Sequence, residues 1–209
     1  MNWLLMAAGS SRRFGSAKLL ATLDTKPVGT VPGHVTLIEA AVRNLRETDW
    51  PVRVVVREHD VELRRVLDDL QVETLPVTSS GLGDSIAAAV RVQRRQAAVT
   101  VEALGIALAD MPFVPPDLLR QLIARVDHEH IVRPVHQPSG KPGHPVIFGR
   151  DFFARLEQCS GDRGAQGVVA AAGPALRLVP TSSEGCLIDV DTPVDLQRAQ
   201  GMLLSPARH

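Results

Sequence analysis

Leu104-Gly-Ile-Ala-Leu-Ala109 carries no polar side chain and ends directly on Asp110. A strand without a polar face has to be covered on both sides, as a strand inside a parallel sheet is by helices above and below it. The rest of the chain supplies the partners such a sheet needs. Trp3–Ala7 is a second apolar run, Val52–Arg57 (VRVVVR) is β-branched, and Val72–Val77 reads as a third short strand. Between them Leu37, Ile38, Ala41, Val42 and Leu45 recur at helical spacing, as do the apolar residues of Val61–Leu70. Asp84–Arg95 places Ile86, Ala87 and Val90 among helix formers, and Pro115-Pro116 opens a helix through Val126, where a missing N–H costs little.

The second half is less regular. Ile131–Val135 and Pro145–Phe148 read as strands about a Pro/Gly turn, with helices at Asp151–Gln158 and Gly164–Ala172. Leu176–Val179 and Leu187–Val190 read as strands, and Thr192-Pro193 begins a last helix to about Leu203. No linker or repeat divides residues 1–209, and that length is enough to bury one full core. The expected fold is therefore a single-domain, three-layer α/β/α Rossmann-like sandwich with a mostly parallel central sheet. Ligands of such sheets collect at the carboxyl ends of the strands, which directs attention to the loops after Ala7, Ala109 and Val190.

Composition removes several classes of function. The 23 basic and 23 acidic residues cancel, so no global field draws the chain to nucleic acid or anionic lipid. Aromatics are 3% with no Tyr, which leaves no base-stacking platform. Cys159 and Cys186 form neither a disulfide framework nor a C-x-x-C pair, as expected of reduced intracellular thiols. The apolar start is no signal peptide, since Arg12 and Arg13 follow the run instead of preceding it, and it is too short to span a bilayer. A cytoplasmic protein without nucleic-acid or membrane partners is expected.

The first of the three loops is Ala7-Ala-Gly-Ser-Ser-Arg-Arg-Phe-Gly-Ser-Ala-Lys18. Gly and Ser let backbone N–H groups approach an anion, and Arg and Lys add charge to that nest. Neither the Walker A spacing nor G-x-G-x-x-G is present; a polar turn with solvated charges is the plain alternative. In Leu108-Ala-Asp-Met-Pro112, Asp110 is equally a helix cap or one of the few carboxylates a Mg²⁺ site takes. In Ile188-Asp-Val-Asp-Thr-Pro193, strand alternation would send Asp189 and Asp191 to opposite faces, so that only one shares a cleft with Asp110. Gly81-Leu-Gly-Asp-Ser85 is a Gly-rich lead into a helix, a weak signal by itself. His144 in Gly143-His-Pro has no zinc-spaced partner, and no G-x-S-x-G nucleophile is present.

Taken together, these stretches resemble a known family. A-A-G-S-S-R-R-F-G-S-A-K is similar to the opening signature of Rossmann-like nucleotidyltransferases. G-L-G-D-S-I, L-A-D-M-P, G-H-P-V, G-D-R-G-A and D-V-D-T-P-V-D-L follow in the order of molybdenum cofactor cytidylyltransferases, over residues 3 to about 200. The resemblance implies that Ala7, Ala8, Gly9 and Ser11 hold the nucleotide through the loop backbone, and that Arg13 and Lys18 contact the triphosphate. It implies that Ser80, Gly81, Gly83 and Ser85 border base and ribose, and that Asp110 is the magnesium aspartate, with Asp191 taken as the second. The N-terminal half would bind nucleotide; the C-terminal half, with His144 and Asp162, would hold the pterin. Departures are Phe14 for the usual Met, Ala109 for Gly, Asp84 where Ser is common, and a longer Asp24–His34 stretch.

The implied reaction is transfer of CMP from CTP to the terminal phosphate of molybdenum-molybdopterin, with Mg²⁺ (or Mn²⁺) as cofactor and pyrophosphate released. A recipient molybdoenzyme or its chaperone would be the protein partner. Arg13, Lys18 and Asp110 would carry the chemistry by positioning and charge stabilisation. Rivals are a guanylyltransferase on the same cofactor, a sugar- or polyol-phosphate nucleotidyltransferase, and a non-catalytic molybdopterin chaperone. Ala7-Ala8-Gly9, not A-G-G, favours CTP over GTP within the family.

Overall fold

The three-dimensional structure is a computed structural model, which describes residues 1–9, 14, 17–24, 33–79, 81–96 and 101–204. Its centre is β1 (Asn2–Met6), paired in parallel with β4 (Val52–Arg57) on one side and β6 (Ala103–Leu108) on the other. Parallel pairing on both edges is what the continuous apolar runs demand: Trp3, Leu4, Leu5 and Met6 are all buried. β5 (Glu73–Val77) continues the sheet beyond β4. Beyond β6 lie β9 (Val146–Gly149), β7 (Ile131–His136) and β10 (Leu176–Thr181), giving the order β10-β7-β9-β6-β1-β4-β5. β9 runs antiparallel to both neighbours, and the short β8 (Lys141–Pro142) pairs with β7. The sheet is mixed, with one reversed strand in an otherwise parallel path.

Side-chain alternation divides the core into two layers. Trp3, Leu5, Val54 and Val56 face α1 (Leu37–Arg46), α2 (Val61–Asp69) and α4 (Pro116–Ile123). Leu4, Met6, Leu104, Ile106 and Phe148 face α3 (Leu82–Gln96), α5 (Phe153–Leu156) and α6 (Gln166–Ala170). α1 begins on a capping box: Glu39 N–H donates to Thr36 Oγ1 at 3.3 Å, and Thr36 N–H to Glu39 Oε2 at 2.7 Å. The one polar edge of the buried Trp3, its indole N–H, donates to Thr48 Oγ1 at 2.9 Å.

Three expectations need correction. Leu187–Val190 is not a strand: a 3-10 turn at Glu184–Cys186 leads into non-repetitive backbone. Its Val190 N–H is taken by the Asp110 carbonyl at 2.9 Å, so it bonds to a loop and not to a sheet edge. The helices expected at Asp151–Gln158 and Gly164–Ala172 are shorter, a 3-10 turn at Arg150–Phe152 joined to α5, and α6. β2 (Thr22–Asp24) and β3 (His34–Thr36) form a small antiparallel pair at the ends of the stretch read as a long loop. Leu23 and Val35 of that pair pack with Val190 and with Ala199 of α7 (Pro193–Leu204), which closes this side of the molecule.

Candidate active site

The carboxyl ends of β1, β4, β5 and β6 lie along one edge of the sheet, and the site is built there by loops fastened to one another. At the end of β6, Ala109 N–H donates to the Met6 carbonyl at 3.1 Å, which holds the loop bearing Asp110 beside the end of β1. The bond from Val190 N–H to the Asp110 carbonyl brings the following Asp191 to the same place. Lys18, in a 3-10 turn over Lys18–Leu20, completes the group. Its Nζ donates to Asp110 Oδ2 at 2.8 Å and to Asp191 Oδ1 at 2.9 Å. Burial alone would lower the Lys18 pKa, but the charges and hydrogen bonds of Asp110 and Asp191 outweigh it and leave it raised. Lys18 is therefore a fixed cation at neutral pH.

The cleft around this group has a volume of about 620 Å³. Asp189 lines it together with Asp110 and Asp191, which corrects the alternation argument: without a strand there, two residues of separation no longer mean opposite faces. Burial, then the proximity of Asp191 and Asp110, raises the Asp189 pKa. Two carboxylates and one ammonium leave the bonded cluster with one net negative charge, and Asp189 adds to it. Oxygen donors that converge with excess negative charge fit a hard divalent cation, and would repel a triphosphate without one. A separate group, His128, Glu129 and Asp151, brings its ligand atoms within 4.8 Å of one another, but it precedes β7 and so lies at the opposite, amino end of the parallel strands.

One wing of the cleft, about 220 Å³, is bounded by Ala8, Gly9, Arg57, Gly81, Ser85, Asp110 and Asp162. Ala7 and Gly9 also line the central part. A Cβ added at Gly9 would meet nothing within 4 Å, so glycine there keeps backbone exposed to open space. Arg57, at the end of β4, was missed in the sequence; its Nε donates to the Ala8 carbonyl at 2.7 Å and fixes the start of the first loop. Its signal was present, because the strand-end rule applies to every parallel strand and not only to the three loops singled out. Ser85 bounds the wing, yet its hydroxyl is engaged with Ser79 Oγ at 2.6 Å and the Gly81 carbonyl at 3.0 Å. Gly83 is buried away from it: a Cβ there would come 2.7 Å from the Ser160 backbone. Asp84 Oδ2 accepts from Gly161 N–H at 3.1 Å, so the unusual aspartate joins α3 to the Gly161-Asp162 loop. Ser11, Arg13 and Ser80 lie outside the described residues.

On the other side stands His144, whereas Asp162, expected to share its role, bounds the wing beside Gly9 and Gly81. Gly143 N–H bonds to the Pro134 carbonyl at 2.8 Å and His144 N–H to the Cys186 carbonyl at 2.9 Å. A side chain at Gly143 would come within 2.4 Å of that same carbonyl, so this contact is open to glycine alone. Burial, then the Arg133 charge, lowers the His144 pKa to about 4, and the ring is neutral at pH 7.

Comparison with known families matches residues 3–177 to the MobA-like NTP transferase domain. The chain belongs to the MobA-like NTP transferase family. Among solved structures it is similar to Rv0371c of Mycobacterium tuberculosis H37Rv, with TM-score 0.77, 22% identity and 96% of each chain covered. Rv0371c has also been solved in complex with manganese, at TM-score 0.72 and 21% identity over 96% of this chain and 97% of that one. A nucleotidyl transferase from Methanothermobacter thermautotrophicus gives TM-score 0.76 at 20% identity, with 97% of both chains covered. Molybdopterin-guanine dinucleotide biosynthesis protein A from Archaeoglobus fulgidus gives 0.64 at 20%, over 97% of this chain and 98% of that one. At these identities the neighbours establish the fold. No curated protein matches the chain. A MobA-like nucleotidyltransferase with a Rossmann-like α/β fold is thus shown, and among the described residues no helix is long and apolar enough to cross a membrane.

Proposed function

We propose that this MobA-like chain transfers CMP from CTP to the terminal phosphate of molybdenum-molybdopterin, releasing pyrophosphate and forming a cytosine dinucleotide of the cofactor. The observation that carries the reading is Lys18 held at 2.8 and 2.9 Å between Asp110 and Asp191 at the carboxyl edge of the sheet. An acceptor phosphate has a second pKa of about 6 and is mostly dianionic at pH 7, so it needs no protein base. One of its oxygens bonds to the α-phosphorus of CTP while the bond from that phosphorus to the bridging oxygen breaks, and pyrophosphate leaves with the bonding pair. The chain has to position the two phosphates and offset the charge that develops.

Lys18 supplies a permanent cation beside the transferred phosphoryl group. Arg13 is assigned the same task on the strength of the resemblance. Ala7, Ala8 and Gly9 present backbone to the nucleotide, with Ser11, Ser80, Gly81 and Ser85 along its base and ribose; Gly83 serves by packing. Asp110 and Asp191 would hold Mg²⁺ or Mn²⁺, which when bound neutralises phosphate charge and polarises the α-phosphoryl group; the manganese complex of Rv0371c supports that choice of ion. The N-terminal half serves the nucleotide, and the half carrying His144 and Asp162 the pterin. The setting is the cytoplasm, with a recipient molybdoenzyme or its chaperone as downstream partner.

A competition-binding panel of CTP, GTP, UTP and ATP with Mg²⁺ tests the nucleotide. CTP binds most tightly on this reading; tighter GTP binding transfers the chain to the guanylyl activity named for the Archaeoglobus neighbour. Pyrophosphate release with a sugar or polyol phosphate, and none with molybdopterin, replaces the acceptor. Molybdopterin binding without any release makes the chain a carrier.

A further inference from the structure

The wing beside Gly9 and Gly81 runs from Asp110 away from Lys18 and Asp191, which line the central part of the cleft and not the wing. With the phosphates at Lys18, the wing falls to the nucleoside end of the nucleotide. Its polar side chains are Arg57, Ser85, Asp110 and Asp162. The Ser85 hydroxyl is engaged with Ser79 and the Gly81 carbonyl, and Asp110 with Lys18. Arg57 is the only cation among the described residues of the wing.

Arg57 is tied down at one end and free at the other. Its Nε donates to the Ala8 carbonyl at 2.7 Å. Its two amino groups make no hydrogen bond or ion pair with a described residue and, unlike the Nε of Arg133, are open to solvent. A guanidinium held at Nε presents its remaining N–H groups as a planar fork, already oriented before a ligand arrives. Such a fork matches two acceptors that lie side by side in one plane, as it does O6 and N7 of guanine. Cytosine offers a pair of this kind in O2 and N3. Uracil interposes a donor, N3–H, between O2 and O4. Adenine sets its amino group beside N1 and beside N7, so it too gives the fork a single acceptor.

We propose that Arg57 is a specificity-determining residue for the base: its two amino groups donate to O2 and N3 of cytosine, which admits CTP and disfavours UTP. The inference rests on the nucleotidyl-transfer reading for placing the phosphates at Lys18. The same fork accepts guanine through O6 and N7. Arg57 therefore sorts bases by paired acceptors, and the choice between cytosine and guanine falls to other residues.

Calorimetry on the full-length chain with Mg²⁺ compares CTP, UTP, 3-deazacytidine triphosphate and inorganic tripolyphosphate, in the wild type, Arg57→Met and Arg57→Lys. The 3-deaza analogue keeps O2 and the amino group of cytosine and lacks only the N3 acceptor. Expected in the wild type is a preference of roughly tenfold or more for CTP over both UTP and the analogue, the usual worth of a bidentate pair. Both substitutions remove that preference, the lysine because a point charge cannot bridge two acceptors. In Arg57→Lys, which keeps the charge, the loss of CTP affinity is not matched by a loss of tripolyphosphate affinity. Where neither variant folds, the analogue against the wild type decides the matter. Equal binding of CTP and its 3-deaza analogue, or a preference over UTP that survives in both variants, overturns the proposal. Equal losses for CTP and tripolyphosphate in Arg57→Lys also overturn it, by placing Arg57 on the phosphates or confining it to bracing the first loop. A wild type that selects CTP through Arg57 yet releases no pyrophosphate with molybdenum-molybdopterin instead removes the transfer reading and leaves the base selection in place.

Discussion

Lys18 is the residue on which two acidic loops converge, and its charge does two jobs. It offsets Asp110 and Asp191, and in the proposed reaction it stands where phosphate charge has to be neutralised. Lys18→Ala is expected to lower kcat together with kcat/KM by roughly a hundredfold, the usual loss when one donor to developing charge is removed. Steady-state kinetics reads this directly, and a rise in KM alone would place Lys18 in ground-state binding. Asp189 gives a second test, because burial, and then the charges of Asp191 and Asp110, raise its pKa. Asp189→Asn should raise the melting temperature of the metal-free protein and weaken Mn²⁺ binding by calorimetry, whereas an Asp189 turned away from the cleft would change neither. His144 links the site to pH. Its folded pKa of about 4 lies below the ordinary histidine value, so its contribution to stability is present above about pH 6.5 and is lost as pH falls towards 4. Between pH 7 and 5 the wild type should lose about 2 kcal/mol more than His144→Gln in urea unfolding. Equal losses in the two would show a ring that protonates freely in the fold.

At the scale of elements, the segment that delivers Asp191 is held at both ends by short-range chemistry. Thr192 and Asp195 cap α7 reciprocally, with Thr192 N–H on Asp195 Oδ2 at 2.8 Å and Asp195 N–H on Thr192 Oγ1 at 3.2 Å. Asp191 N–H also reaches Asp195 Oδ2, at 3.2 Å. Asp195→Ala should therefore cost about 1 kcal/mol of stability as a lost cap, and should lower turnover as well, since the same carboxylate orients Asp191. Unchanged kcat in that variant would uncouple the cap from the site. The cap was legible in the sequence as Thr192-Pro193; the backbone before it was not. Leu187-Ile188 and Val190 read as a strand because β-branched and apolar residues are common to strands and to buried loops, and periodicity over so few residues cannot separate them. The decisive bond, Val190 N–H to the Asp110 carbonyl, joins residues far apart in sequence. The same limit hid the reversed β9 and the β2–β3 pair.

Across the whole molecule, the alternation of apolar strands and amphipathic helices was enough to place the ligand edge of the sheet, because burial on both faces of β1 and β6 leaves one architecture open to them. Lys18, Asp110 and Asp191, the charges that meet in the cleft, were legible from their places in a Gly/Ser loop and after short apolar runs. Arg57 and Asp189 were not, the first because its strand was passed over, the second because its strand does not exist. The architecture makes the site a junction of loops from both halves, so a ligand spanning it should stabilise the fold as one unit. CTP with Mg²⁺ at a hundred times its Kd should add about 2.7 kcal/mol of apparent stability, read as a rise in melting temperature that Asp110→Asn loses. The central claim, that the Lys18–Asp110–Asp191 group performs nucleotidyl transfer, is tested most directly by one measurement: the rate of pyrophosphate release from CTP with Mg²⁺ and molybdenum-molybdopterin, in the wild type and in Asp110→Asn. Release in step with acceptor consumed, reduced by two orders of magnitude or more in the folded variant, is the predicted result; equal rates in the two proteins would contradict it.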